Sequence, residues 1–126
     1  RLIDAYPHQV SGGQRQRIMI AAALSLDPAL LIADEPVAGL DPDAQLLTLD
    51  LLRAEAERGA GVVVTLHDLG LAARSCDRIV VVDHGRLVAD GPPREALSRA
   101  ILSRVFRLDG ELIETQAGPV LAARRA

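Results

Sequence analysis

Leu30-Leu31-Ile32-Ala33-Asp34-Glu35-Pro36 decides the fold of this chain: an uninterrupted apolar run delivers two adjacent carboxylates to a proline. Asp27-Pro28 precedes the run and Pro36 closes it, so it is bounded by turn signals on both sides. A short apolar stretch without polar alternation, so bounded, predicts a parallel strand buried on both faces. Such a strand carries its last side chains to the C-terminal edge of the sheet, where open α/β folds have their clefts. An acidic pair placed there has the chemistry to serve a magnesium-bound phosphate group. Asp34 can hold the metal through its hydration shell and Glu35 can polarise an attacking water.

Upstream stands Val10-Ser11-Gly12-Gly13-Gln14-Arg15-Gln16-Arg17. A helix is expected over about residues 13–25, with Ile18, Ala21, Ala22 and Leu24 on one side and Ser11 as its cap. A hydroxyl and free backbone N–H groups at a helix N-terminus favour a phosphate. Taken alone, Ser11-Gly12-Gly13-Gln14 is equally a glycine loop that caps a helix.

Downstream, Asp41-Pro42 starts a helix in which Leu46, Leu49 and Leu52, with Leu47 and Leu51 beside them, recur at helical spacing until Gly59. Residues 61–66 read as a second buried strand and residues 68–75 as a helix. Residues 78–82 form a third strand, and Asp83-His84-Gly85-Arg86 is a tight turn into a fourth that ends near Asp90-Gly91. A helix is expected from Pro92-Pro93 to about Ser103, and a small hairpin over residues 111–123 around Gly118-Pro119. Strands alternating with helices predict an α/β fold with a parallel sheet covered by helices.

Composition excludes several classes of function. The chain has 126 residues, room for one modest domain, and a formal net charge of −3. Tyr6 and Phe106 are its only aromatic residues, too few for a base-stacking surface. With no broad basic footprint either, direct nucleic-acid binding is not expected. The single cysteine, Cys76, has no disulfide partner and no neighbours at metal-ligand spacing. It reads as a small buried residue in a helix. The longest apolar run, residues 18–24, is far short of the roughly 20 residues needed to span a bilayer.

The two stretches together, in this order, resemble the signature motif and the Walker B strand of ABC-type ATPases. The resemblance implies a P-loop NTPase-like (RecA-like) core with a parallel sheet, together with the end of the ABC helical subdomain. Residues 1–26 would be the end of the helical subdomain, 27–108 the ATPase core and 109–126 a C-terminal tail. It further implies ATP and Mg2+ as cofactors, with Asp34 on the metal through water and Glu35 as the base acting on the hydrolytic water. His67, placed after the strand that follows the acidic pair, resembles the switch histidine that reaches the γ-phosphate. Ser11, Gly12, Gly13 and Gln14 would grip the γ-phosphate of nucleotide bound to the opposite subunit of a head-to-tail dimer. Ala38-Gly39-Leu40-Asp41 resembles the D-loop, which crosses that dimer interface and links the two ATP sites, so the resemblance implies Asp41 as a further nucleotide-binding residue. His8 and His84 lack such placement and read as surface residues.

The nucleotide loop G-x-x-x-x-G-K-[ST] occurs nowhere in the chain, and the sequence opens on Arg1. Both features lead us to expect the C-terminal half of a larger ATPase subunit, inactive by itself. Its other expected partners are transmembrane permease subunits and, indirectly, a substrate-binding protein, with the ATPase peripheral at the cytoplasmic face of the inner membrane. Residues 6–17 and 30–36 look like peptide-importer ATPases. Val37-Ala38-Gly39-Leu40-Asp41 and the stretches over residues 64–74 and 91–97 are similar to ATPases of iron-siderophore, haem and vitamin B12 importers, which are favoured here. A peptide-importer ATPase, a non-transport ABC ATPase and a non-catalytic remnant that lacks the nucleotide loop stay open as alternatives.

Overall fold

A computed structural model describes residues 29–126. The expected helix over residues 13–25 and the Ser11 loop lie outside them. The chain divides into two units, Arg1–Leu66 and His67–Ala126.

In the first unit, β1 (Leu30–Asp34) is joined through α1 (Pro42–Glu57) to β2 (Gly61–Thr65). The strands pair in parallel, from Leu30 opposite Gly61 to Asp34 opposite Thr65. Parallel neighbours need a crossover connection, which α1 supplies. Asp41 caps that helix, its carboxylate accepting the Ala44 N–H at 2.9 Å, and Pro42 sits in the first turn where no intrahelical donor is lost. Gly59, at φ +104°, ends the helix by taking a left-handed conformation that a Cβ would oppose.

Two expectations for this unit need correction. β1 is not buried on both faces: Leu31 is 8% exposed, but Leu30 and Ile32 are 58% and 68% exposed. Side chains alternate along a strand, so Leu30 and Ile32 share one side with Val63 of β2, and among the described residues nothing covers that side. On α1 the buried arc is Ala44, Thr48, Leu49, Leu52 and Glu55. Leu46 and Leu47 fall outside it and Leu51 at its edge, all exposed, because the helical period carries them round from the side that packs on β2.

The second unit contains α2 (Leu69–Ser75), β3 (Ile79–Asp83), β4 (Arg86–Gly91), α3 (Pro93–Ala96), α4 (Arg99–Phe106), β5 (Leu108–Thr115) and β6 (Gly118–Arg125). β3 and β4 form an antiparallel hairpin across the expected turn, where His84 and Gly85 stand at φ +49° and +74°. Positive φ at both central residues gives the turn the twist that matches its strands. β3 thus pairs with β4. The helix expected from Pro92 to Ser103 breaks in two at Leu97. Ser98 is extended there, and its hydroxyl accepts the Ile101 N–H at 3.3 Å, restarting the chain as α4.

The final hairpin is longer than expected and turns earlier, at Gln116-Ala117, with Gly118 (φ +100°) opening the return strand. Thr115 holds the turn, accepting the Ala117 N–H at 3.1 Å and donating to the Gly118 carbonyl at 2.7 Å. Cys76 is half-buried at the C-cap of α2 and not within the helix. Ala73, Ile79, Val81, Ala96, Leu97, Ile101, Leu102 and Leu112 close into one core, with Leu102 fully inaccessible.

Candidate functional site

β1 delivers Asp34 as its last residue and Glu35 immediately beyond it, at the C-terminal end of the parallel pair. Register places Thr65, the last residue of β2, opposite Asp34. The Thr65 hydroxyl donates to Asp34 Oδ1 at 2.5 Å and accepts the Glu35 backbone N–H at 2.8 Å. That same N–H also reaches the Thr65 carbonyl at 3.2 Å. Glu35 stands at φ +46°, a region that residues with a Cβ enter at a cost. Such strain persists only where the surroundings over-determine it, and it concentrates at functional sites.

Beyond Glu35 the chain makes two successive turns, Ala38 N–H to the Glu35 carbonyl at 3.1 Å and Leu40 N–H to the Val37 carbonyl at 3.2 Å. Pro36 and Val37 are buried and anchor this segment, whereas Ala38, Gly39 and Asp41 are exposed. Asp41 uses its carboxylate as the cap of α1. In the second unit, His67 is exposed and immediately precedes Asp68, which caps α2 by accepting the Leu71 N–H at 3.0 Å. Ser11, Gly12, Gly13 and Gln14 lie outside the described residues. The sequence-derived site is therefore described at Asp34, Glu35, Asp41 and His67, of which the structure brings Asp34 and Glu35 together on one strand end. Thr65 was missed. Its only signal in the sequence is a hydroxyl residue ending the apolar run Val62-Val63-Val64.

Among the described residues no three His, Cys, Asp or Glu side chains converge to hold a metal ion. Asp34, an exposed carboxylate at a strand end, fits magnesium in another way, since that ion keeps most of its waters and takes one or two carboxylates plus substrate phosphates. A cleft of about 590 Å³ in the second unit, between α3–α4 and β5, contains none of these residues. Its charges are already matched, Arg94 with Glu114 at 3.6 Å and Arg99 with Glu111 at 2.9 Å.

Comparison with known proteins bears on the family and the fold. The ABC transporter family profile matches residues 1–38. The chain is 46% identical over 105 residues to a hemin import ATP-binding protein of Rhodococcus jostii, covering 83% of this chain and 36% of that protein. It is 42% identical over 120 residues to a protein of Brucella abortus described as a peptide import ATP-binding protein, covering 89% of this chain and 36% of that one. A solved structure of an inward-facing metal-chelate type ABC transporter superposes with a TM-score of 0.77 at 25% identity, covering 91% of this chain and 47% of that chain. The α/β arrangement is accordingly that of the P-loop NTPase-like core. By sequence and by fold the chain belongs to the ABC transporter ATP-binding family, spanning 36% of each of the two relatives named.

Proposed function

We propose that this chain is the C-terminal part of the ATP-hydrolysing subunit of an ABC importer, with residues 1–26 ending the helical subdomain, 27–108 in the ATPase core and 109–126 forming a tail. The observation that carries this reading is the acidic pair at the end of β1, tied to β2 by Thr65, with Glu35 held in a strained backbone conformation. Asp34 holds Mg2+ through water, and Glu35 takes a proton from the water that attacks the γ-phosphate. A positioned base of this kind contributes about 10²–10⁴-fold to a rate. His67 contacts the γ-phosphate. Ser11, Gly12, Gly13 and Gln14 close on nucleotide held by a second ATPase subunit in a head-to-tail dimer, and Asp41 belongs to the same interface. Magnesium supplies charge neutralisation between the phosphates when it is bound.

The subunit sits at the cytoplasmic face of the inner membrane against permease subunits, which a separate binding protein supplies with cargo. No described helix is long and apolar enough to cross a membrane. A metal chelate such as haem, a siderophore or cobalamin is the favoured cargo. The likeness to a hemin import protein and to a metal-chelate type transporter supports it. Peptide import is the second reading, favoured by the Brucella abortus relative.

Glu35→Gln in the complete subunit tests the mechanism, since the amide keeps the shape and cannot act as a base. ATP hydrolysis should fall to near zero while ATP binding persists and gel filtration with ATP and magnesium shows a trapped dimer. Hydrolysis at the wild-type rate would remove Glu35 from the mechanism. Deleting the gene should impair growth on a haem, siderophore or cobalamin source, whereas a defect confined to peptide utilisation favours the second reading.

A further inference from the structure

Thr65 makes more contacts with the acidic pair than any expectation from sequence assigned to it. Its hydroxyl donates to Asp34 Oδ1 at 2.5 Å and accepts from the Glu35 N–H at 2.8 Å. The direction of both bonds follows from chemistry. An ionised carboxylate can only accept and a backbone N–H can only donate, so the single hydroxyl hydrogen points at Asp34 and a lone pair faces Glu35. The first of these is a charge-assisted bond in the short range expected for O–H against a carboxylate. The second adds to the Thr65 carbonyl, which accepts the same N–H at 3.2 Å.

Two residues on one strand end are thereby fixed from one residue on the next. Asp34 has a carboxylate whose rotation is restrained at Oδ1. Glu35 has a backbone at φ +46° that needs an external restraint to stay there. From this we infer that Thr65 is a positioning residue for ATP hydrolysis, acting through Asp34 and Glu35 by setting the carboxylate of the first and the backbone of the second. The inference rests on the roles proposed above for those two carboxylates. It also explains why a hydroxyl follows the three valines of β2. Valine in that place would suit the pleat equally well and could make neither bond.

Thr65→Val and Thr65→Ser in the complete ATPase subunit test it. Valine is isosteric, favours strands and retains the carbonyl bond, so it removes the two hydroxyl contacts alone. Serine restores them. The expected result for Thr65→Val is a loss of about tenfold or more in kcat with the KM for ATP nearly unchanged, and recovery of most of that loss in Thr65→Ser. A second readout does not depend on turnover. In nucleotide-free protein the Glu35 amide should exchange with solvent faster in Thr65→Val than in wild type, and at the wild-type rate in Thr65→Ser. Glu35→Gln, measured beside them, separates the two levels of the argument. Wild-type hydrolysis by Glu35→Gln would overturn the underlying assignment. An inactive Glu35→Gln together with wild-type kcat and unchanged Glu35 exchange in Thr65→Val would overturn the role of Thr65 alone. Failure of serine to recover either readout would reduce Thr65 to a packing residue and overturn it as well.

Discussion

The two units hold their residues in place by different means. In residues 67–126 helices and hairpins close around a single core, where Ala96, Leu97 and Leu102 are 1%, 2% and 0% exposed. In the described part of the first unit, Leu30, Ile32 and Val63 lie open on one side of the two-stranded sheet, and α1 covers only the other with the Ala44–Thr48–Leu52–Glu55 arc. Yet the open unit carries the acidic pair. The direction of its carboxylates is set by parallel register and the Thr65 bonds, with the buried Pro36 and Val37 behind them, while the second unit rests on burial. Hydrogen bonds fix direction and add little net free energy, whereas burial is non-directional and supplies most of the free energy. A site that must hold carboxylates at a definite angle is well served by the first, and a platform by the second.

The largest effect that could break this contrast is a cavity in the closed unit. Leu102→Ala removes a fully inaccessible side chain from α4 and should destabilise by about 3 kcal/mol. Leu30→Ala, on the exposed side of β1, should stay within about 0.5 kcal/mol. Amide exchange read separately for α4 and β3 and for β1 and β2 measures each unit in the same chain. Equal costs at the two leucines would erase the distinction between burial and hydrogen bonding drawn here.

A smaller effect sharpens it at the last hairpin. Gly110 lies opposite Ala123, and a Cβ built on it would stand 2.2 Å from the Ala122 carbonyl oxygen and 2.6 Å from the Ala123 Cα. These are backbone atoms that no side-chain rotation can move aside, so Gly110→Ala must push β6 away from β5. A cost of about 1–3 kcal/mol is expected, as for other overpacked sites. Faster exchange should appear in β5 and β6 and leave β1 and β2 unaffected. Gly110→Ala with wild-type exchange throughout the hairpin would show that the strands separate without cost.

Much of this was legible in the sequence, because local chemistry decides it. The apolar run into Asp34-Glu35, the caps at Asp41 and Asp68 and the turn at His84-Gly85 each carry their own signal. What could not be read depends on partners distant in the chain. Thr65 matters only through the register that sets it opposite Asp34, thirty-one residues away. α1 is so rich in leucine that its pattern does not say which arc is covered, and small Ala44 and Thr48 turn out to face the sheet side. Ala96, Leu97, Ile101 and Leu102 fit a single helix by spacing. The break at Ser98 is a competition between its hydroxyl and the helical ladder that periodicity does not register.

The smallest expected effect concerns a polar bond in the unit that burial otherwise holds. Arg78, just before β3, meets Asp90 of β4 with Nε and Nη2 on the two carboxylate oxygens, both at 2.6 Å. These bonds hold the Asp90 carboxyl below its ordinary pKa; desolvation opposes them, and the charge of the guanidinium adds the least of the three. A carboxyl with a depressed folded pKa binds fewer protons folded than unfolded, so its contribution is complete above the ordinary carboxylate range. It is lost as pH falls through the folded value. Asp90→Asn should therefore be slightly less stable than wild type at pH 7, with the difference closing below about pH 4. Because the pair is exposed, added salt should shrink that difference too. Denaturation curves of the two proteins across pH, at low and high salt, measure it. A gap that widened on acidification would reverse the sign and assign the stabilisation to some other group, whereas a gap rivalling that of Leu102→Ala would mean that the surface fork, and not the core, holds β3 to β4.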